Sequence, residues 1–302
     1  MKIFTSTVPI LFLVFNRPET TIRVFEAIRQ YRPQQLFIAA DGPRPDRPGE
    51  TEKCAEVRKI AGAVDWPCEI RTLFRAHNLG CRDAVSSAIN WFFENVEEGI
   101  ILEDDCLPHP DFFRFCNELL DYYRNDERIM HISGSNFQRG EKRGNASYYF
   151  SRYAHIWGWA SWRRAWQYYD ADLRNLDIAV LKNTFNSGKV SNRWMEILQQ
   201  VKDKNPYFNT WDFQWSYTLF ERSGLAVTPN VNMISNIGFG SGTHTLKKDS
   251  EFAEIPAESI AKALIHPMQK IPDEAADKVV FKRMYGNSIL ARIKKHISGV
   301  FK

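Results

Sequence analysis

Cysteine is scarce and scattered: Cys54, Cys68, Cys81, Cys106 and Cys116 are five in number, with no CxxC pair among them. That pattern indicates neither a disulfide framework nor a zinc site, and free thiols suit a reducing compartment. Long apolar runs are missing as well. The stretch from Met1 to Asn16 carries one Lys, ends in Asn-Arg-Pro and has no small-residue cleavage site. It is too short to span a bilayer, and with no cleavage site it is not expected to act as a leader, so a cytoplasmic location is expected. Charge of one sign is in small excess only, with 40 Lys and Arg against 36 Asp and Glu. No basic arm, zinc-finger spacing or Lys/Arg run interleaved with aromatics is present, and nucleic acid is not an expected partner. A net charge of +4 suits a phosphate-bearing small molecule or an anionic surface. Internal repeats and low-complexity tracts are also absent.

What the chain does have is length and aromatic content. Its 302 residues, 44% hydrophobic, are enough to bury a full core. Nine Trp and eleven Tyr exceed ordinary usage. Most are expected in the core, while exposed ones would offer flat faces for stacking on sugars and bases.

The first 125 residues alternate between two patterns. Val8 to Phe15 is a continuous apolar run, the mark of a strand buried on both faces. Pro18 opens a helix through Tyr31. Further strands are expected at Leu36 to Ala40, Cys68 to Phe74 and Gly99 to Leu102, and helices at Glu50 to Val64, Ala84 to Val96 and Asp111 to Tyr123. Such alternation predicts right-handed crossovers and a mainly parallel sheet, an α/β fold. From 126 to 249 the alternation is lost. Short strands at Ile129 to Ile132, Leu225 to Thr228 and Asn232 to Ser235 accompany an aromatic-dense stretch, Tyr148 to Trp166. Helices are expected at Asn192 to Val201 and Asp212 to Ser223. This second part reads as the other half of the same domain. The tail, 250 to 302, reads as loosely packed until a basic amphipathic helix from Ser288 to Lys302. That helix fits peripheral contact with an anionic membrane surface, and equally a cover closing over the domain.

Ligands of parallel α/β sheets bind outside the carboxyl ends of the strands. Three strands end in polar residues: Asn16-Arg17, Asp41, and Glu103-Asp104-Asp105. Three adjacent carboxylates repel one another and are costly to bury in part without a cation. Mn²⁺ or Mg²⁺ would suit them, since hard ions take oxygen ligands and often need only one or two protein carboxylates beside water and phosphate. Arg17 offers a forked donor to phosphate, and Asp41 an acceptor for a base N–H or ribose hydroxyl. The loop from His77 through Asn78 to Arg82 precedes a helix, whose amides with Arg82 form an anion-friendly site. A Gly-rich segment from Asn236 ends near His244, a candidate late contact to metal or pyrophosphate.

The segment Leu102-Glu-Asp-Asp-Cys-Leu-Pro-His-Pro-Asp-Phe-Phe113 resembles the acidic metal (DxD) motif and following helix of the GT-A glycosyltransferases. The likeness extends to the N-acetylglucosaminyltransferase I family and related bacterial sugar transferases. Val8 to Arg17 resembles that family's first strand. His155-Ile-Trp-Gly-Trp-Ala-Ser-Trp162 resembles its acceptor-side segment, and Asn209-Thr-Trp-Asp-Phe-Gln-Trp215 its Trp-Asp motif. The resemblance implies a GT-A fold, a nucleotide-diphosphate sugar donor (a UDP-sugar foremost) and an inverting, metal-dependent transfer. The acceptor it implies is a glycan or lipid-linked glycan, as in bacterial surface polysaccharide synthesis. Residue by residue it makes Asp105 the metal ligand, with His244 a later one, and sets Glu103 and Asp104 near the ribose and behind the metal. Arg17, Asp41, Asn78 and Arg82 fall on the donor side; Trp157, Gly158, Trp159 and Trp211 on the acceptor side. Asp212 becomes the general base, a residue equally able to cap the helix that follows it. Two other readings stand beside this one. A sugar-phosphate nucleotidyltransferase would want a Gly-rich loop directly after the first strand, where Phe15-Asn-Arg-Pro18 stands instead. A carbohydrate-binding protein that lost activity would not need the acids.

Overall fold

The apolar run that opens the sequence forms β1 (Ile10–Val14), and Pro18, with φ fixed for a helix start, opens α1 (Pro18–Tyr31). The computed structural model describes residues 8–239 and 250–286. The rest of the first part follows as β2 (Gln35–Ala40), α2 (Glu50–Ala61), β3 (Glu69–Phe74), α3 (Gly80–Asn95), β4 (Glu98–Glu103), β5 (Cys106–Pro108) and α4 (Pro110–Tyr122). Then come β6 (Ile129–Ser133), β7 (Tyr148–Ser151), β8 (Trp159–Trp162), α5 (Arg163–Trp166), α6 (Ile178–Thr184), α7 (Gly188–Lys202), α8 (Asp212–Glu221), β9 (Leu225–Pro229), β10 (Ile234–Asn236) and α9 (Glu274–Val280).

Eight strands make one sheet in the order β3-β2-β1-β4-β8-β6-β9-β7. The first four are parallel, and β8 enters antiparallel between β4 and β6. The sheet is mainly parallel, as the alternating pattern predicts, and helices cover both faces. Side chains of successive residues go to opposite layers. Ile10, Phe12, Ile100 and Leu102 join α1, α2 and α4 in one core cluster; Leu11, Leu13 and Ile101 join α3, α5 and α8 in another. By the same alternation Glu103, paired in register with Leu13, faces the α3 side. Strand order reverses between β1 and β4, and this switch point fixes where the site lies.

A third cluster, built around Trp194, Tyr153, Leu198 and Phe220, packs α6, α7 and α8 together. It also receives Val280 of α9 and Tyr285. Here the expectation of a loosely packed tail is corrected for α9. The Asp277 carboxylate accepts from the Ser151 hydroxyl (2.6 Å) and Arg152 Nη1 (3.0 Å), pinning α9 beside β7. Burial pushes the Asp277 carboxyl up to about 6, with those two donors opposing the rise. The amphipathic stretch from Ser288 to Lys302 lies outside the described residues, as does His244. Among the described residues no helix is long and apolar enough to cross a membrane.

Candidate active site

At the carboxyl ends of β1, β2 and β4 a cleft of about 610 Å³ opens. Parallel register aligns Val14 with Ala40 and Leu13 with Glu103, so the residues following each strand converge without further design. Of the sequence-predicted residues, Arg17, Asp41, Asn78, Glu103, Asp104, Asp105, Trp157, Trp211 and Asp212 line this one cleft.

Arg17 sits just before α1 and reaches across to the acids after β4. Its Nη2 donates to Asp104 Oδ1 at 2.5 Å and its Nη1 to Asp105 Oδ2 at 2.7 Å. Burial alone would lower the Arg17 pKa, but Asp104 and Asp105 outweigh it and hold the guanidinium above its ordinary value. The second oxygen of Asp104 accepts from the Phe15 amide (3.1 Å), so this carboxylate, 2% exposed, is fully engaged. Asp105 has only the weak Cys106 thiol donor (3.5 Å) on Oδ1. Glu103 stands apart on the α3 side. Burial pushes its carboxyl well above the usual range, reinforced by Asp105, Asp104 and Asp212 and opposed by Arg17.

Pairing of β5 with β10 carries Ile237 onto Asp105, whose carbonyl accepts from the Ile237 amide at 2.8 Å. Gly238 then packs against the ion pair. A Cβ there would come within 2.2 Å of Asp105 Oδ2 and 2.5 Å of Arg17 Nη1. Only glycine therefore fits beside the pair, and Asp105 Oδ1, which has only the Cys106 thiol, is the oxygen that could serve a hard divalent ion as its one protein ligand, with water and phosphate supplying the others. No group of three His, Cys, Asp or Glu able to hold a metal occurs among the described residues.

On the donor side, two expectations need correcting. Asp41 accepts from the amides of Leu79 (3.0 Å) and Gly80 (3.1 Å) and from Asn78 Nδ2 (2.9 Å). It thus satisfies the first amides of α3, which begins at Gly80 rather than Ala84, and those amides are not left for an incoming anion. Arg82 turns away from the cleft, donating to Ala171 O (2.6 Å) and Asp172 Oδ1 (2.8 Å). The cleft instead receives Arg44, which sequence reasoning missed. Its Nη2 meets Glu50 Oε1 at 2.5 Å and its guanidinium lies 5.6 Å from the Phe15 ring centroid. The Pro- and Arg-rich loop after Asp41 was the available signal for it.

The acceptor-side residues divide at the Gly158 turn (φ +60°) that precedes β8. Trp157 lines the cleft and meets Phe239 edge-on at 5.8 Å. Trp159, two positions later and fully buried, lies between His131 (5.0 Å) and Trp211 (5.7 Å), as core rather than cleft wall. His131 was not anticipated. Its Nδ1 accepts from Trp215 Nε1 (3.2 Å), its Nε2 meets the His155 carbonyl (3.1 Å), and burial holds its pKa down at about 3. Gly158 has φ +60°, and a Cβ would meet Ile234 at 2.4 Å and Leu102 at 3.2 Å. Gly158→Ala is therefore expected to cost about 2–4 kcal/mol, from backbone strain plus overpacking, read as a lowered denaturant midpoint with unchanged slope. An unchanged midpoint would show that this turn relaxes freely.

Asp212 is the first residue of α8, and Thr210 donates its hydroxyl to the Asp212 carboxylate. Trp211 and Trp215 pack into the layer beneath. Asp212 and Glu103 influence each other electrostatically and both act on the Cys81 thiol, so they share one side of the cleft.

The sequence matches no protein-family model and no curated protein. Solved structures similar to the chain include a cytidylyltransferase from Leptospira borgpetersenii, at 15% identity over 68% of this chain and 74% of that one, with a TM-score of 0.33. A UDP-glucose pyrophosphorylase complexed with UDP-glucose is similar at 9% identity over 74% of this chain and 91% of that one, TM-score 0.36. The bifunctional glycosyltransferase WbbM is similar at 11% identity over 74% of this chain and 39% of that one, TM-score 0.36. Overlaps this loose assign no reaction, and what stands on the chain's own geometry is an α/β protein with a charged cleft at the switch point of its sheet.

Proposed function

We propose that the chain is a glycosyltransferase that moves a sugar from a nucleoside-diphosphate donor to an acceptor hydroxyl. One observation carries the reading: an ion-paired cluster, Arg17 with Asp104 and Asp105, and a separate carboxylate, Asp212, face the same cleft. The first can bind and orient a leaving diphosphate; the second can take the acceptor's proton. In the step itself the acceptor oxygen attacks C1 of the donor sugar while the bond from C1 to the phosphate oxygen breaks. The electron pair leaves on the diphosphate and the hydroxyl proton passes to Asp212, with inversion at C1. A divalent ion on Asp105 would supply positive charge to the leaving diphosphate. Arg44 and Phe15, which line the cleft, would suit a nucleoside, and Trp157, which also lines it, a sugar acceptor. A UDP-sugar is the leading donor and a glycan or lipid-linked glycan the acceptor.

A sugar-phosphate nucleotidyltransferase is the second reading; against it, the segment after β1, Phe15-Asn-Arg-Pro18, has no glycine to cradle a triphosphate, and the Phe15 amide is already held by Asp104. Thermal unfolding with UDP-, GDP-, CMP- and dTDP-sugars, each with Mn²⁺ and with EDTA, tests the proposal. One nucleotide class should stabilise the protein only with metal, by about 2.7 kcal/mol at a hundred times its Kd. No stabilisation by any of them would overturn the donor assignment.

A further inference from the structure

Among the described residues five aromatic side chains line the cleft, and four of them, Phe15, Trp157, Trp211 and Phe239, are at least half-buried. Tyr207 is the exception, at 54% exposed. Single exposed apolar residues are ordinary on loops; what sets this one apart is how firmly the chain beneath it is held. Tyr207 lies in a single 3₁₀ turn, Pro206–Phe208, and its amide donates to the Asn205 side-chain oxygen at 3.0 Å. Asn205 Nδ2 in turn donates to Gln200 Oε1 of α7 (2.6 Å), and Phe208 is buried in the third core cluster. On the other side, Asn209 accepts from the Arg82 amide of α3 (3.2 Å), and Thr210 donates to Asp212. The backbone is braced at both ends while the ring stands in the cleft.

Its place relative to the proposed base follows from the chain. Tyr207 precedes Asp212 by five residues, so their Cα atoms would be at most about 18 Å apart if that stretch were fully extended, and the 3₁₀ turn shortens it. A flat apolar face with a polar tip, this close to the proton acceptor, suits a pyranose ring, whose C–H face is apolar and whose edge carries hydroxyls. We propose that Tyr207 is an acceptor-binding residue: its ring stacks on a sugar of the acceptor and holds the attacking hydroxyl on the Asp212 side of the cleft. The proposal rests on the glycosyltransferase reading and narrows it, because the acceptor must then present a pyranose ring and not merely a hydroxyl on a lipid or a protein.

Saturation-transfer NMR of the full chain with the methyl glycosides of glucose, galactose, mannose and N-acetylglucosamine, in the presence of UDP and Mn²⁺, reads this contact without requiring turnover. Wild type should pass saturation to the C–H protons of at least one of them, most strongly on one face of the ring. In Tyr207→Ala the Kd for that glycoside should rise about tenfold, the usual scale for truncating an aromatic anchor. Tyr207→Phe keeps the flat ring and should bind as wild type does. Tyr207→Leu, apolar but not planar, carries the same test should the alanine variant not fold. No glycoside bound by wild type, equal affinity after removal of the ring, or a loss in Tyr207→Phe as large as in Tyr207→Ala would overturn the proposal. Glycoside binding that depends on Tyr207, in a protein that no nucleotide sugar stabilises, would instead fault the donor assignment and leave Tyr207 as a sugar contact.

Discussion

Asp212→Asn should bind the donor as wild type does and lose about 10²- to 10⁴-fold in transfer rate, the usual contribution of a positioned general base. The expectation follows from where the residue stands. Asp212 opens α8 on the cleft side opposite the layer occupied by α1 and α4, and its carboxylate is oriented by the Thr210 hydroxyl. Asn has the same shape and can keep that contact, so folding and donor affinity should be nearly unaffected while the proton acceptor is lost. The comparison must separate kcat from donor binding, because a lost base lowers kcat and leaves the donor Kd alone. Near-normal turnover would remove Asp212 from the role and pass it to Glu103, the other carboxylate on that side of the cleft. Product anomer analysis by NMR then distinguishes inversion from retention.

Much of the first half was legible because parallel strands buried on both faces announce themselves. Val8 to Phe15 could be little else, and the polar residues ending each run pointed to one edge of the sheet. Local chemistry was enough for that. What could not be read was set by distant partners. Asp41 looked free for a ligand because nothing nearby in sequence shows the α3 amides, 38 and 39 residues on, that it accepts from. Arg17 looked available for phosphate because its partners lie 87 and 88 residues away.

The aromatic stretch from Tyr148 to Trp166 hid two strands for the same reason. Here β7 lies at the sheet edge while β8 sits at its middle, beside β4. Once β8 is in place, alternation alone sends Trp159 into the layer with Trp211 and Trp215, and Trp162 into the opposite one. The Gly-Trp pair is thus divided between a turn that only glycine fits and a core side chain, leaving Trp157 as the residue exposed to the cleft.

Asp105→Asn should abolish the metal-dependent part of donor binding and leave the metal-independent part in place. Its neighbours show why the two parts separate. Asp104 alone retains Arg17 through the 2.5 Å contact and the Phe15 amide, so the guanidinium stays paired and the fold does not inherit a buried unpaired charge. An Asn oxygen at 105 is a neutral, much poorer ligand for a hard ion, and no group of three metal-binding side chains is present among the described residues to replace it. Arg17, freed from Asp105, keeps its second donor for phosphate. Titrating nucleoside diphosphate with Mn²⁺ and with EDTA should therefore give one Kd for the variant, equal in both conditions, against two for wild type. Should the variant still bind more tightly with Mn²⁺, the ion is held elsewhere in the cleft.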